Sequence, residues 1–239
     1  MRKSARTQNS KRRTRRWLDE YGVWVLLFSI FTGLFTWKIY MGGKLLSDEL
    51  SSGREYLERT TPYDIQYGAN PNAEIIITEY ASLTCGHCRR FHEEIILPLK
   101  QSGYFQETGR FVFRSLPLDR VALDAAVLLS CVDEKAAPKV LEIFFEKQKV
   151  WAYSKDPQVK LKSYLKGDQQ VLDTCVLDKK RREDIVAARF EATQRLKMKG
   201  TPTIFINDRR YRGPHTLEDF SKALRLIENS SKAVQQHEQ

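Results

Sequence analysis

YASLTCGHCRRFHEE, residues Tyr80 to Glu94, is the stretch that decides the fold. It sets two thiols, Cys85 and Cys88, around Gly86 and His87. Ahead of them Ile75, Ile76, Ile77 and Thr78 form an apolar, β-branched run that predicts a strand. Behind them Cys88, Phe91, Ile95 and Leu99 recur at three- and four-residue steps, the spacing of one helix face. Cys85 therefore falls at a strand-to-helix seam. There the unpaired backbone N–H groups and the positive end of the helix dipole stabilise an anion. A thiolate is such an anion, and it is the nucleophile of thiol chemistry. The pattern points to redox chemistry.

The chain has 239 residues, enough for one domain of moderate size plus extensions. Its 41% hydrophobic and 29% charged content is that of an ordinary globular protein. The net charge of +10 is unevenly placed, because residues 1–20 hold eight Lys and Arg against Asp19 and Glu20. An apolar run follows, Tyr21 to Trp37, seventeen residues without a charge, continuing past Lys38 to Met41. A bilayer span takes about 20 residues. Trp17, Tyr21, Trp24, Trp37 and Tyr40 stand towards the two ends of the run, as an interfacial aromatic belt does. The sequence thus predicts a basic cytoplasmic tail over 1–20 and a single uncleaved transmembrane helix over 21–41. The positive cluster before the run keeps the N-terminus in the cytoplasm and sends the rest across. A cleaved signal peptide fits less well, because Met41-Gly42-Gly43-Lys44 offers a poor cleavage site. Nucleic-acid binding through the arginines is set aside, since topology accounts for them.

The polar stretch 42–62 is expected to be a linker, a tether or a short exposed helix with too few apolar residues for a core, and 229–239 a flexible tail. Between them the pattern gives short strands at Asp64–Tyr67, Ile75–Tyr80 and Phe111–Ser115. The helix after the dithiol is expected from Gly86 to about Lys100, with Pro98 bending or ending it. A long helical block fills 119–198, broken by Pro138, Asp156-Pro157 and Gly167-Asp168. Strands return at Thr203–Ile206 and Arg209–Arg212, and a last helix runs from Thr216 to Ile227, where Thr216 and Asp219 have the spacing of a capping box. The predicted class is α/β, with 63–118 and 199–228 forming one domain and 119–198 an all-helical insertion.

The strand–Cys-Gly-His-Cys–helix unit, the insertion and the stretch Gly200-Thr201-Pro202-Thr203 together resemble a DsbA-like thiol:disulfide oxidoreductase of the thioredoxin superfamily. The likeness covers about Asp64 to Ile227 and includes Pro117-Leu118-Asp119, a step that recurs in that family. It implies a thioredoxin-like fold with Pro202 in cis facing the dithiol. Thr201 then offers its backbone to an extended client peptide, with Gly86 on the same substrate-binding side. Glu79, six residues before Cys85, stands where the superfamily keeps a proton-handling acid beneath the active site, although a charge on a solvated strand face is the plainer reading. The sequence departs from the best-known bacterial oxidases at Gly86, where they carry proline. Its Gly-His pair is like that of protein disulfide isomerases. The resemblance also implies reduced or unfolded exported clients, a quinone-linked membrane partner as re-oxidase, and a bacterial inner-membrane protein with its catalytic domain in the periplasm.

The chemistry follows from the residues as well. A client thiolate attacks a Cys85–Cys88 disulfide and forms a mixed disulfide, which a second thiolate resolves. Cys85, the more exposed, is the attacking and leaving sulfur, and Cys88 resolves. His87 between them is expected to lower the thiol pKa, which makes the disulfide a stronger oxidant. No other cofactor is implied. Zinc on Cys85 and Cys88 with His92 as a third ligand is the blander reading, but no fourth ligand is evident, and His92 is expected at the surface. A reductase or isomerase on the same scaffold is the nearer alternative. Cys131 and Cys175 lie in apolar helical patterns, as two buried free thiols would. If the domain lies outside the cytoplasm they are expected to form a structural disulfide.

Overall fold

The computed structural model describes residues 27–44, 53–68, 73–167 and 169–237, with side chains to residue 230. The chain divides into two compact units, Met1–Ser52 and Gly53–Gln239. In the first unit residues 27–44 are helical, and Phe28, Phe31, Leu34, Trp37 and Tyr40 are exposed. Among the described residues no helix is long and apolar enough to cross a membrane. The basic tail and residues 21–26 of the predicted span lie outside the described residues.

The second unit is built on a five-stranded sheet in the order β1-β3-β2-β4-β5. Its strands are β1 (Ile65–Tyr67), β2 (Ile75–Ala81), β3 (Gly109–Ser115), β4 (Thr203–Ile206) and β5 (Arg209–Arg210). Only β2 and β3 run parallel, with Ile77 opposite Phe111 and Glu79 opposite Phe113. β4 pairs antiparallel with β2, setting Ile204 against Glu79 and Thr203 against Tyr80. Side chains alternate across a strand, and that alternation divides the core in two. Ile75, Ile77, Phe111, Phe113, Ile204 and Ile206 join Phe91, Ile95, Phe145 and Phe220 in the main apolar cluster. Tyr80 and Phe205, one residue out of step, join Tyr56, Leu57, Leu116, Leu196 and Met198 in a second. Both faces of the sheet are thereby covered, which explains why β2 is apolar almost throughout. Each large side chain so buried stabilises the fold by roughly 1.5–3 kcal/mol.

The second cluster corrects the expectation for 42–62. Residues 53–58 are helical, and Tyr56 and Leu57 are buried. Together with Ala192 and Leu196 at the end of the last helix of the insertion and Met198 beyond it, they cover this face of the sheet. The next turn is fastened by Arg114, whose guanidinium holds Asp64 and the Arg59 carbonyl, while Thr61 also bonds Asp64.

After β2 comes α1 (Gly86–Phe91), a π-helical turn His92–Ile96, α2 (Leu97–Gln101) and the short α3 (Tyr104–Glu107). Of the two effects expected of Pro98, it does not end this helical run, which goes on to Gln101. Proline has no N–H for the residue one turn back. The chain widens just before it instead, and the Leu97 N–H bonds the carbonyl of His92. Between β3 and β4 stand α4 (Arg120–Leu129), α5 (Ala137–Glu146), α6 (Gln148–Trp151), α7 (Pro157–Lys162), α8 (Gln169–Val176) and α9 (Lys179–Arg195). Asp119, Asp156 and Asp178 cap α4, α7 and α9, accepting from the N–H groups of Ala122, Val159 and Arg181. Cys131, just past α4, is joined to Cys175 of α8 by a disulfide with Cα atoms 5.9 Å apart. The last helix, α10 (Leu217–His237), starts at the expected Thr216, whose Oγ1 accepts from the Asp219 N–H at 3.1 Å. It continues past Ile227 to His237, so residues 229–237, expected as a flexible tail, are helical.

Candidate functional site

β2 delivers the chain into a tight turn in which the Cys85 N–H bonds the Ser82 carbonyl at 3.0 Å. Cys85 then caps α1 with extended backbone (φ −78°, ψ 118°), and its sulfur accepts from the Cys88 N–H at 3.4 Å. A sulfur in the place of a capping oxygen is satisfied best when it carries charge. Both cysteines are free thiols in this structure, Cys85 half-buried and Cys88 fully buried.

From the other side β4 brings up the loop Gly200–Thr203. The Thr201–Pro202 bond is cis. Cys85 S–H donates to the Thr201 carbonyl at 3.5 Å. The first cysteine and the residue before the proline are thus in direct contact across a sequence gap of more than a hundred residues. Thr201 Oγ1 is buried without a hydrogen-bond partner. Gly86 is exposed in the first turn of α1, and a Cβ built there meets nothing within 4 Å. Sterics do not demand glycine at this position.

The two thiols have opposite electrostatic fates. Cys85 is lowered from 9.0 to about 5, chiefly by hydrogen bonding from the Cys88 thiol. Burial opposes that shift, while Thr201 and the backbone N–H groups of Cys88 and His87 add to it. Cys88 is pushed far up by burial, then by its bond to Cys85 and by the charges of Glu79 and Cys85. Glu79 is wholly buried with neither carboxylate oxygen hydrogen-bonded. Burial, and then the Cys85 charge, raise it well above the ordinary carboxylate range. It shares a sheet face with Ile204 and stands electrostatically coupled to both sulfurs.

His87 is placed differently from expectation. Its ring is exposed, with Nδ1 2.8 Å from Arg90 Nη2. Its contribution to Cys85 comes through the backbone N–H, which any residue but proline supplies at that position. His92 is not at the surface. It is buried against Phe145 at 4.9 Å and Phe111 at 6.2 Å between ring centroids. Burial drives it down to about 3, so the imidazole stays neutral. Among the described residues no group of three or more His, Cys, Asp or Glu is arranged to hold a metal ion.

Two neighbours escaped the sequence reading. His215 lies against Phe91 at 5.2 Å, and burial together with the His87 charge lowers its pKa. Gln148, buried at the start of α6, reaches back to the turn before the dithiol. A lone amide at a helix start and a histidine in a loop carry no local signal. Only the folded chain brings them here.

A profile of the thioredoxin family matches residues 60–225. A Rickettsia typhi protein named for protein-disulfide oxidoreductase activity is 27% identical over 169 residues, covering 69% of this chain and 62% of its own. A like-named Rickettsia prowazekii protein is 30% identical over 169 residues, covering 69% and 58%. The chain thus spans about three-fifths of the length of these relatives. Among solved structures, Wolbachia pipientis α-DsbA1 superposes with a TM-score of 0.63 at 27% identity, covering 76% of this chain and 98% of that one. Bacillus subtilis BdbD, at 18% identity and a TM-score of 0.60 over 70% of this chain and 94% of that one, shares the fold.

Proposed function

The chain belongs to the thioredoxin family, and we propose that it is a dithiol oxidase that introduces disulfides into exported proteins through Cys85 and Cys88. The observation that carries this reading is the contrast between the two sulfurs. Cys85 is a thiolate at neutral pH, with a pKa of about 5, while Cys88 is buried and held protonated. A reduced form stabilised in this way makes the corresponding disulfide a strong oxidant.

In the oxidising direction a client thiolate attacks Cys85 Sγ and breaks the Cys85–Cys88 bond. Cys88 leaves and takes up a proton, for which the buried carboxyl of Glu79, whose charge acts on Cys88, is the source. A second client thiolate then attacks the client sulfur of the mixed disulfide, and Cys85 departs as its stabilised thiolate. Two electrons pass from the client dithiol to the Cys85–Cys88 pair. The Thr201 backbone, already in contact with Cys85, offers an extended client peptide a β-type partner, with Pro202 and Gly86 on the same side.

The finer calls belong to this reading too. Residues 21–41 anchor the chain in a bacterial inner membrane with Gly53–Gln239 in the periplasm, and a quinone-linked membrane partner re-oxidises the dithiol. Cys131–Cys175 fits an oxidising compartment. The test is oxidation of a reduced, unfolded client by the full chain in its disulfide form. One client disulfide formed per dithiol released is the expected result. Reduction or reshuffling of client disulfides without net oxidation would transfer the assignment to a reductase or isomerase.

A further inference from the structure

The helical insertion reaches the dithiol through one buried side chain. Lys147, with φ −92° and ψ 9°, ends α5 and begins α6. That break turns Gln148 inward, and only 4% of the residue remains exposed. Its Nε2 donates to the Leu83 carbonyl at 2.8 Å and to the Cys85 carbonyl at 3.0 Å. An amide nitrogen has two hydrogens, and both are used on the turn that carries the nucleophile. The Cys85 carbonyl also receives the Arg89 N–H at 3.1 Å, the first bond of α1. Two donors from different elements thus fix one carbonyl, and with it the ψ angle of Cys85. A second tie from the insertion lies nearer the surface, where Thr84 Oγ1 donates to Asp119 Oδ2 at 2.7 Å.

We propose that Gln148 is a positioning residue for the dithiol: its amide locks the Leu83–Cys85 turn so that the Cys85 sulfur stays on the Cys88 N–H. The sulfur depends on that alignment, because the same turn sets it against the Cys88 thiol, the largest influence lowering Cys85, and against the Cys88 and His87 N–H groups, which add to it. Without Gln148 the Cys85 carbonyl keeps only its helical bond. The peptide plane rotates, and the 3.4 Å contact between sulfur and N–H loosens. The insertion then serves the redox centre as well as covering it. A buried amide 63 residues away tunes the nucleophile without touching its sulfur.

The experiment is a pH titration of the thiolate ultraviolet absorbance of the reduced full chain, with thermal unfolding followed in parallel. Gln148→Leu and Gln148→Met, both uncharged and without donors, are expected to move the midpoint upward by about one pH unit, a tenfold loss of thiolate on the acid side. Thr84→Val, which cuts only the outer tie, moves it less. A role confined to packing would lower the thermal midpoint and leave the titration where it is. An unmoved titration in a folded variant overturns the proposal, and Gln148→Met, close in length to glutamine, provides that folded variant if the leucine does not. The inference rests on Cys85 and Cys88 being the exchanging pair, but the titration needs no client. An unmoved midpoint therefore removes Gln148 alone, whereas a wild type that exchanges no disulfides removes the oxidase.

Discussion

The molecule holds two pairs of cysteines, and their surroundings differ in kind. Cys85 and Cys88 share one turn of helix, with a buried acid beneath them, a backbone N–H on one sulfur and the Thr201 carbonyl across from it. Cys131 and Cys175 are 44 residues apart and join α8 to the end of α4, with the Val127 carbonyl 3.2 Å from the Cys131 sulfur. One pair is surrounded by groups that separate the acidities of its two sulfurs. The other is already joined as a disulfide and closes a long loop. The proposed redox work and the stapling thus differ by setting, since the same pair of side chains serves in both.

Substitution separates the two roles most sharply. Cys85→Ser is expected to abolish exchange altogether, while in Cys88→Ser the Cys85 thiolate attacks an added client disulfide, releases one client thiolate and, with no Cys88 to displace the client, stays in a mixed disulfide visible on a non-reducing gel. The double change Cys131→Ala with Cys175→Ala should leave the exchange rate within about twofold, because neither sulfur reaches the dithiol. It should cost about 4 kcal/mol in urea unfolding, the chain-entropy figure for a loop of this length. Loss of exchange in the double variant would join the two pairs functionally and undo the contrast.

The next effect concerns the proton under the dithiol. Glu79→Gln removes the buried acid and is expected to slow exchange by on the order of tenfold to a hundredfold in stopped-flow fluorescence. It should also stabilise the fold above the ordinary glutamate range. An acid whose folded pKa is raised is neutral in both states below its unfolded value of 4.5. As pH rises past that value the unfolded chain ionises first and the fold loses stability. The glutamine variant should escape this loss. Equal pH dependence in the two proteins would place Glu79 outside the proton traffic.

A smaller effect separates the oxidised from the reduced protein. Cys85 is an acid whose folded pKa is depressed from 9.0 to about 5. Its contribution to the reduced state is full near its ordinary value and disappears as pH falls through about 5. Urea unfolding of both forms should show the reduced protein's advantage shrinking from pH 9 towards pH 5. The smallest effect is expected at His87. With its ring on Arg90 and its backbone N–H serving Cys85, His87→Ala should move the Cys85 titration by no more than about half a unit. A larger movement would return the imidazole to the part assigned it from sequence.

What could be read in advance was what is local. The strand before Cys85, the helix after it, the capping box at Thr216 and the strand at Thr203 each declare themselves within a few residues, through β-branched runs, helical spacing and cap chemistry. Other features were set by what packs from far away. Tyr56 and Leu57 looked too sparse for a core, yet they close the second face of the sheet against Tyr80 and Phe205. His92 stands beside Glu93 and Glu94 and reads as surface. The π-helical turn that accommodates Pro98 carries it, and it packs beneath Phe145. Gln148 shows no pattern at all, because its meaning lies in two carbonyls more than sixty residues away.

The most direct test of the account is the reduction potential of the Cys85–Cys88 disulfide in the full chain, equilibrated against glutathione buffers and read by alkylation. The asymmetry between the two sulfurs predicts a value well above thioredoxin's roughly −270 mV, towards the strongly oxidising end near −120 mV. A value at or below thioredoxin's would contradict the oxidase and make the site a reductant. A pair with no measurable potential would leave it a structural or zinc-holding module.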